Sequence, residues 1–275
     1  LLTLLPTPIG NIEDISLRAL RVLEEADAIL CEDTRVAKKL LTLLSERHGL
    51  NHHINTFISL HSHNEHEVLQ KLTPDFFDQH VVYMSDAGMP CISDPGARLV
   101  AYCQEHGIDY TVLPGPSAFT TAFAASGFIE THFSFYGFLP HKGRERHEAL
   151  REVLSQPWST ILYEAPHRLE KLLDELIAEA EDRTIFMAKE ITKKHERFFK
   201  GQPAELKQAI TGSLLKGEWV IIISPTTERK ETTTLSLQEI EILDLPPKQK
   251  AKLISKLTGQ SVKVCYNQLM QKEKS

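Results

Sequence analysis

Residues 80–106 read as a strand, a loop and a helix in immediate succession. His80–Met84 is a β-type run, Ala97–His106 has helical spacing, and between them Asp, Gly and Pro recur from Ser85 to Gly96. An ordinary strand-to-helix connection takes roughly 2–6 residues, and this one spends about ten on turn chemistry. Gly88 and Gly96 permit positive φ or close approach to a ligand, while Pro90 and Pro95 stiffen the loop. Loops at the carboxyl ends of strands are where open α/β sheets bind ligands. The competing reading is a connection that merely turns.

The same unit recurs. Leu1–Leu5 is an apolar run closed by Pro6, Pro8 and Gly10, followed by a helix with Asp14 or Ser16 as N-cap. Ala28–Cys31 ends in Glu32, Asp33, Thr34 and Arg35, and Asp109–Leu113 ends in Pro114-Gly115-Pro116. Ala118–Ser126 is then a helix of small residues, Phe and Thr, with Gly127 as its C-terminal stop. Such units predict a parallel sheet with right-handed crossovers over residues 1–115. Strands at Phe133–Phe138, Thr160–Tyr163, Ile185–Ala188 and Glu218–Ser224 predict a second, mixed α/β domain over residues 116–227.

From Thr226 the composition shifts to Thr, Glu and Lys, the signature of a linker. Lys248–Leu257 and Ser261–Met270 then outline two helices about Gly259, so residues 235–275 are expected as a helix-turn-helix-like tail. Seven lysines against Glu273 alone give residues 245–275 a charge of +6, on a chain whose net charge is −6. The overall balance argues against wholesale electrostatic binding of nucleic acid, whereas the tail fits a local contact through Lys250, Lys252 and Lys256. Lys142, Arg144 and Arg146 form a second basic stretch, and Arg35 suits phosphate or carboxylate. A solvated face is the alternative for each.

Other classes recede. No apolar run reaches the roughly 18 residues of a membrane span, and no signal pattern opens the sequence. Cys31, Cys91, Cys103 and Cys265 are widely spaced, which fits reduced thiols in the cytoplasm without structural zinc. A histidine-rich stretch that includes His61, His63 and His66 invites a metal site but also reads as a polar loop entering a helix.

Taken together, Thr7-Pro8-Ile9-Gly10-Asn11, Cys31 through Arg35, Ser85-Asp86-Ala87-Gly88, Ser93 through Gly96, Pro114-Gly115-Pro116, Tyr163 through Arg168 and Ala188-Lys189-Glu190 resemble the rRNA-modifying branch of the tetrapyrrole methylase superfamily. The resemblance runs from about Thr3 to Met270. It implies two α/β domains of the class III methyltransferase kind with the cofactor in the cleft between them, plus the helical tail. It also implies a homodimer that uses S-adenosyl-L-methionine to methylate the 2′-oxygen of a cytidine in the decoding region of 16S rRNA, free or in the assembled 30S subunit. The superfamily's cofactor contacts carry over to Ala87, Gly88, Met89, Ile92, Ser117 and Ala118, with Glu164, Ala188 and Pro8 nearby. Met89 departs from the Thr usual in this branch.

A sulfonium donor needs no phosphate cradle, and the chain has neither G-x-x-x-x-G-K-[ST] nor G-x-G-x-x-G after its first strand. Asp33 and Glu190 are the carboxylates expected as general base, with Lys189 stabilising the developing alkoxide; a loop ion pair is the alternative for each. Two further readings stay open: a methyltransferase for a tetrapyrrole or other small acceptor, and an RNA-binding module without catalysis.

Overall fold

The computed structural model describes residues 1–226 and 237–272. The linker expected after Thr226 lies outside the described residues, as do Glu273 and Lys274.

The first sheet contains β1 (Leu2–Leu4), β2 (Ala28–Cys31), β3 (Thr56–Ser59), β4 (Val81–Met84) and β5 (Tyr110–Val112), all parallel, in the order β3-β2-β4-β1-β5. Alternation along each strand explains how both faces are covered. Ile29, Cys31, Val82 and Met84 pack on one face against α1 (Leu17–Glu25) and α2 (Thr34–His48), through Leu23, Leu41 and Leu44. Their neighbours Ala28, Leu30, Val81 and Tyr83 pack on the other, against α3 (Glu65–Lys71) and α4 (Ala97–Glu105). Ser16 caps α1 by accepting from the Ala19 amide at 3.0 Å. β1 and β4 are neighbours whose connections leave in opposite directions, β1 toward β2 and β4 toward β5. Loops that diverge in this way open a crevice at the carboxyl edge of the sheet.

The chain reaches the second sheet through α5 (Ala118–Ser126), which Gly127 terminates at φ 65°. β6 (Phe133–Phe138), β7 (Ser159–Glu164), β8 (Ile185–Lys189), β9 (Arg197–Gly201) and β10 (Trp219–Ile223) lie in the order β6-β7-β10-β8-β9. β10 is antiparallel to β7 and β8, and β6 parallel to β7, so the sheet is mixed as expected. One face packs Leu162, Met187 and Ile221 on α6 (Gly143–Leu154), α7 (Leu169–Glu179) and α8 (Pro203–Ala209). The other packs Ile161, Phe186, Ala188 and Ile222 on α5, with Ile9 reaching over from the first sheet.

Both sheets lie within one compact unit, Leu1–Thr226. The boundary expected at residue 115 lies where the chain passes from the first sheet to the second. A second unit holds α9 (Leu237–Ile242), α10 (Pro247–Thr258) and α11 (Val262–Lys272), with Ile240, Ala251, Ile254, Cys265 and Leu269 as its core. Gly259 ends α10 at φ 72° and makes the turn into α11. Among the described residues no helix is long and apolar enough to cross a membrane.

Candidate active site

A cleft of about 360 Å³ lies where the crevice of the first sheet meets the second. Ile9 comes from the loop after β1, Ala87 to Met89 and Ile92 to Asp94 from the loop after β4, and Ser117 and Ala118 from the start of α5. The second sheet supplies Phe138, Tyr163 to Pro166, Ile191 and Glu218 to Val220.

The loops after β1 and β4 are joined backbone to backbone. Thr7 N donates to Gly88 O at 2.9 Å, Gly88 N donates to Thr7 O at 3.0 Å, and the Thr7 hydroxyl donates to Ser85 O at 3.2 Å. Gly88 sits at φ 88°, and a Cβ there would come within 3.3 Å of Ile9 Cγ2. Beyond it the loop turns sharply, with Cys91 and Ser93 at φ 69° and 63°. Non-glycine residues in the left-handed region cost on the order of 1–3 kcal/mol each and persist only where surrounding bonds fix them. Here Tyr83 Oη donates to Pro95 O at 2.7 Å, and buried Glu65 accepts from the Gly96 amide at 3.1 Å. Gly96 itself, at φ 118°, leaves no room for a Cβ against the Tyr83 ring. The register of β6 shifts between Phe135 and Gly137, and a Cβ on Gly137 would lie 3.0 Å from Ser93 Oγ, so the irregular strand admits the loop.

Of the residues expected at the cofactor, Ala87, Gly88, Met89, Ile92, Ser117, Ala118 and Glu164 converge on this cleft. Pro8 is next to the wall residue Ile9 and is not itself on the wall. Ala188 is fully buried between β8 and α5, behind the wall.

The expected catalytic groups are placed differently. Lys189 follows Ala188 on β8, and the two-residue period turns it to the opposite face, where Nζ donates to Leu214 O at 2.8 Å. It is not on the cleft wall. Glu190, at φ 51°, accepts from the Glu218 amide at 2.8 Å and pairs with Lys193 Nζ at 3.0 Å. Burial opposes its ionisation, but these two bonds outweigh burial and hold its carboxyl below the usual range. Asp33 caps α2 and is ion-paired with Arg35 at 2.6 Å; the guanidinium and the Arg35 amide hold it down to about 2, which leaves a weak base. All three side chains are engaged in a loop ion pair or a buried anchor.

Arg146 is likewise unavailable to RNA. It is 1% exposed, and its guanidinium bonds Glu175 and, at 3.1 Å, Glu164. Arg168 Nη2 meets the other oxygen of Glu164 at 2.5 Å. The sequence did carry the signal: Arg146, Ala149, Leu150 and Val153 form the buried stripe of α6 at helical spacing. Lys142 and Arg144 are exposed near the start of α6, Arg144 pairing with Glu148. Arg35 is exposed apart from its pairing with Asp33. In the second unit Lys248, Lys252 and Lys256 are exposed at four-residue spacing on α10, while Lys250 is half-buried and off that line. No group of three potential metal ligands occurs among the described residues.

The residue missed from sequence is Asp94. It lines the cleft, half-buried, and burial together with Glu32 pushes its carboxyl up to about 6, with Ser85 partly opposing this.

A parallel sheet with a glycine-built crevice, covered by a second, mixed sheet, defines a class of methylase. The family model described as Tetrapyrrole (Corrin/Porphyrin) Methylases matches residues 1–207, and the chain belongs to that family. Within it, the chain is 43% identical to the ribosomal RNA small subunit methyltransferase I of Helicobacter pylori, over 100% of both chains. The protein of the same name from Campylobacter fetus is 45% identical, over 98% of this chain and 100% of its own. Among solved structures, uroporphyrin-III C-methyltransferase from Thermus thermophilus, complexed with S-adenyl homocysteine, superposes with a TM-score of 0.55. That match covers 80% of this chain and 96% of the other at 16% identity, a likeness of fold.

Proposed function

We propose that the protein transfers a methyl group from S-adenosyl-L-methionine to the 2′-oxygen of a cytidine in the decoding region of 16S rRNA, acting in the cytoplasm as a homodimer. The observation that carries this reading is the full-length match, at 43% identity, to a relative named for methylating small-subunit rRNA. That match includes the basic helical unit, which a small-molecule methylase does not need.

The cleft fits such a donor. Its volume suits a nucleoside-sized ligand, and Ile9, Ile92, Ile191 and Val220 give it an apolar wall. The backbone at Ala87, Gly88 and Met89 can approach closely because residue 88 has no side chain. At Ser117 and Ala118 the N-terminus of α5 lies on the wall, a setting favourable to a ligand carboxylate. When bound, the donor supplies an electrophilic methyl on a positively charged sulfur. The protein's part is to orient the acceptor oxygen, an effect that can supply roughly 7–11 kcal/mol. Lys142 and Arg144, and Lys252 and Lys256 on α10, are the exposed cations proposed to meet phosphates.

Labelled methyl transfer to small ribosomal subunits lacking the modification, followed by nuclease mapping, tests the reading. Label in a 2′-O-methylcytidine of the decoding region supports it. Label in a precorrin-type acceptor and none in rRNA supports instead a tetrapyrrole substrate, the reading favoured by the structural neighbour's own name.

A further inference from the structure

We propose that Asp94 is the general base of the transfer, its carboxylate taking the proton of the acceptor hydroxyl as that oxygen attacks the methyl carbon. The assignment rests on the reading that a ribose hydroxyl is the acceptor.

Three carboxylates line the cleft: Asp94, Glu164 and Glu218. Glu164 is held between Arg146 and Arg168, with both side-chain oxygens engaged. Glu218 is paired with Lys193 at 3.0 Å, and its side chain is 77% exposed. Asp94 has no cationic partner among the described residues. It is therefore the wall carboxylate left to accept a proton.

Its placement is fixed from both sides. Pro95, its chain neighbour, accepts from Tyr83 Oη at 2.7 Å, and Ser93 on the other side stands so near β6 that a Cβ on Gly137 would lie 3.0 Å from its hydroxyl. A base held in this way needs no reorganisation before it acts. The groups facing it reinforce the chemistry. Glu32 after β2 and Asp86 after β4 repel its negative charge, the Ser85 hydroxyl favours it, and Tyr83, Cys91 and Tyr163 add no cation. The result is a carboxyl ionised near neutral pH yet more basic than a solvated aspartate.

The proton ledger is simple. One O–C bond forms and one S–C bond breaks, with the electron pair remaining on sulfur, which becomes a neutral thioether. The hydroxyl proton passes to Asp94 and from there to solvent.

The test compares the full-length wild type with Asp94→Asn and Asp94→Glu in single turnovers on unmodified small subunits, at saturating S-adenosyl-L-methionine, from pH 5 to 9. For wild type the rate should rise with pH through an inflection near 6. Asp94→Asn should lower the rate about 10²–10⁴-fold and abolish the inflection. Its calorimetric affinity for S-adenosyl-L-methionine should change less than about threefold, which also shows that the variant is folded. Asp94→Glu should recover part of the rate and keep an inflection. An Asp94→Asn enzyme with a near-normal rate at saturation but weakened donor affinity would make Asp94 a cofactor anchor and overturn the assignment. Retention of both rate and inflection would overturn it too. If wild type itself puts no label into rRNA, the functional reading fails, and the base assignment with it.

Discussion

Arg146 Nη2 lies 3.1 Å from Glu164 Oε2, and both side chains are sealed from solvent although Glu164 borders the cleft. A cation from α6 thus holds one end of the wall in place. Removing it leaves a buried carboxylate with Arg168 as its remaining cationic partner, beside the Ala165 amide. Arg146→Ala should destabilise the protein by about 3–5 kcal/mol in urea unfolding. Arg144→Ala, on the exposed side of the same helix, should change stability by no more than about 0.5 kcal/mol while weakening RNA binding.

Gly88 carries a second expectation. An alanine at this position would have to hold φ near 88° and displace Ile9 by a few tenths of an ångström. Gly88→Ala should cost about 1–2 kcal/mol of stability and weaken S-adenosyl-L-methionine binding about tenfold or more, because a roughly 1.4 kcal/mol penalty already gives that factor. Isothermal calorimetry beside thermal unfolding separates the two effects.

The raised carboxyl of Asp94 makes stability depend on pH with a defined sign. Its folded value, about 6, lies above the ordinary 3.8, so between these values the folded state holds a proton that the unfolded chain has lost. Stability from this group is therefore complete below about pH 3.8 and falls as pH rises to about 6 and beyond. Asp94→Asn should be more stable than wild type at pH 7.5, on the order of 1–2 kcal/mol once solvent screening of the half-exposed side chain is allowed for. Near pH 4 the two should unfold alike. A constant offset across that range would contradict the expectation.

The lysine line on α10 can be tested through salt. Replacing Lys248, Lys252 and Lys256 with Gln should reduce the slope of log affinity against log salt by up to about 0.7–0.9 per lysine that meets a phosphate. Lys250→Gln, half-buried on the other side, should leave the slope nearly unchanged. Filter binding to small subunits over a range of salt reads both.

Much of the fold was legible because the central strands are continuous apolar runs punctuated by Gly and Pro. β2 and β4 are buried along their whole length, and they stand where Ala28–Cys31 and His80–Met84 were expected. β9 was missed: Arg197–Gly201 is an edge strand without a clean alternation, recognisable mainly by its pairing with β8. The wall residues Ala87, Gly88, Met89 and Ile92 follow from the family resemblance of the motif. The catalytic expectations followed strand ends without following strand parity. Lys189 is one pleat away from Ala188, and that single step takes it off the side of the sheet that faces α5. Asp94 was obscured for the opposite reason. It stands among Gly and Pro residues whose role in shaping the turn is plain from sequence, whereas the cleft it lines is completed by Phe138, Tyr163 and Glu164 of β6 and β7, far along the chain.

The paired amides of Thr7 and Gly88 have a mechanical consequence. Two backbone bonds close a small ring across the switch point, and a loop that swung away alone would leave both donors and acceptors without partners. The first-sheet side of the cleft is thus a fixed jamb. Any movement of the wall on ligand exchange is then expected on the facing side, where Phe138, 54% exposed, and Pro166 line the cleft. Amide exchange should show that asymmetry, with Gly88 protected to the level of the strands and the backbone around Phe138 opening first.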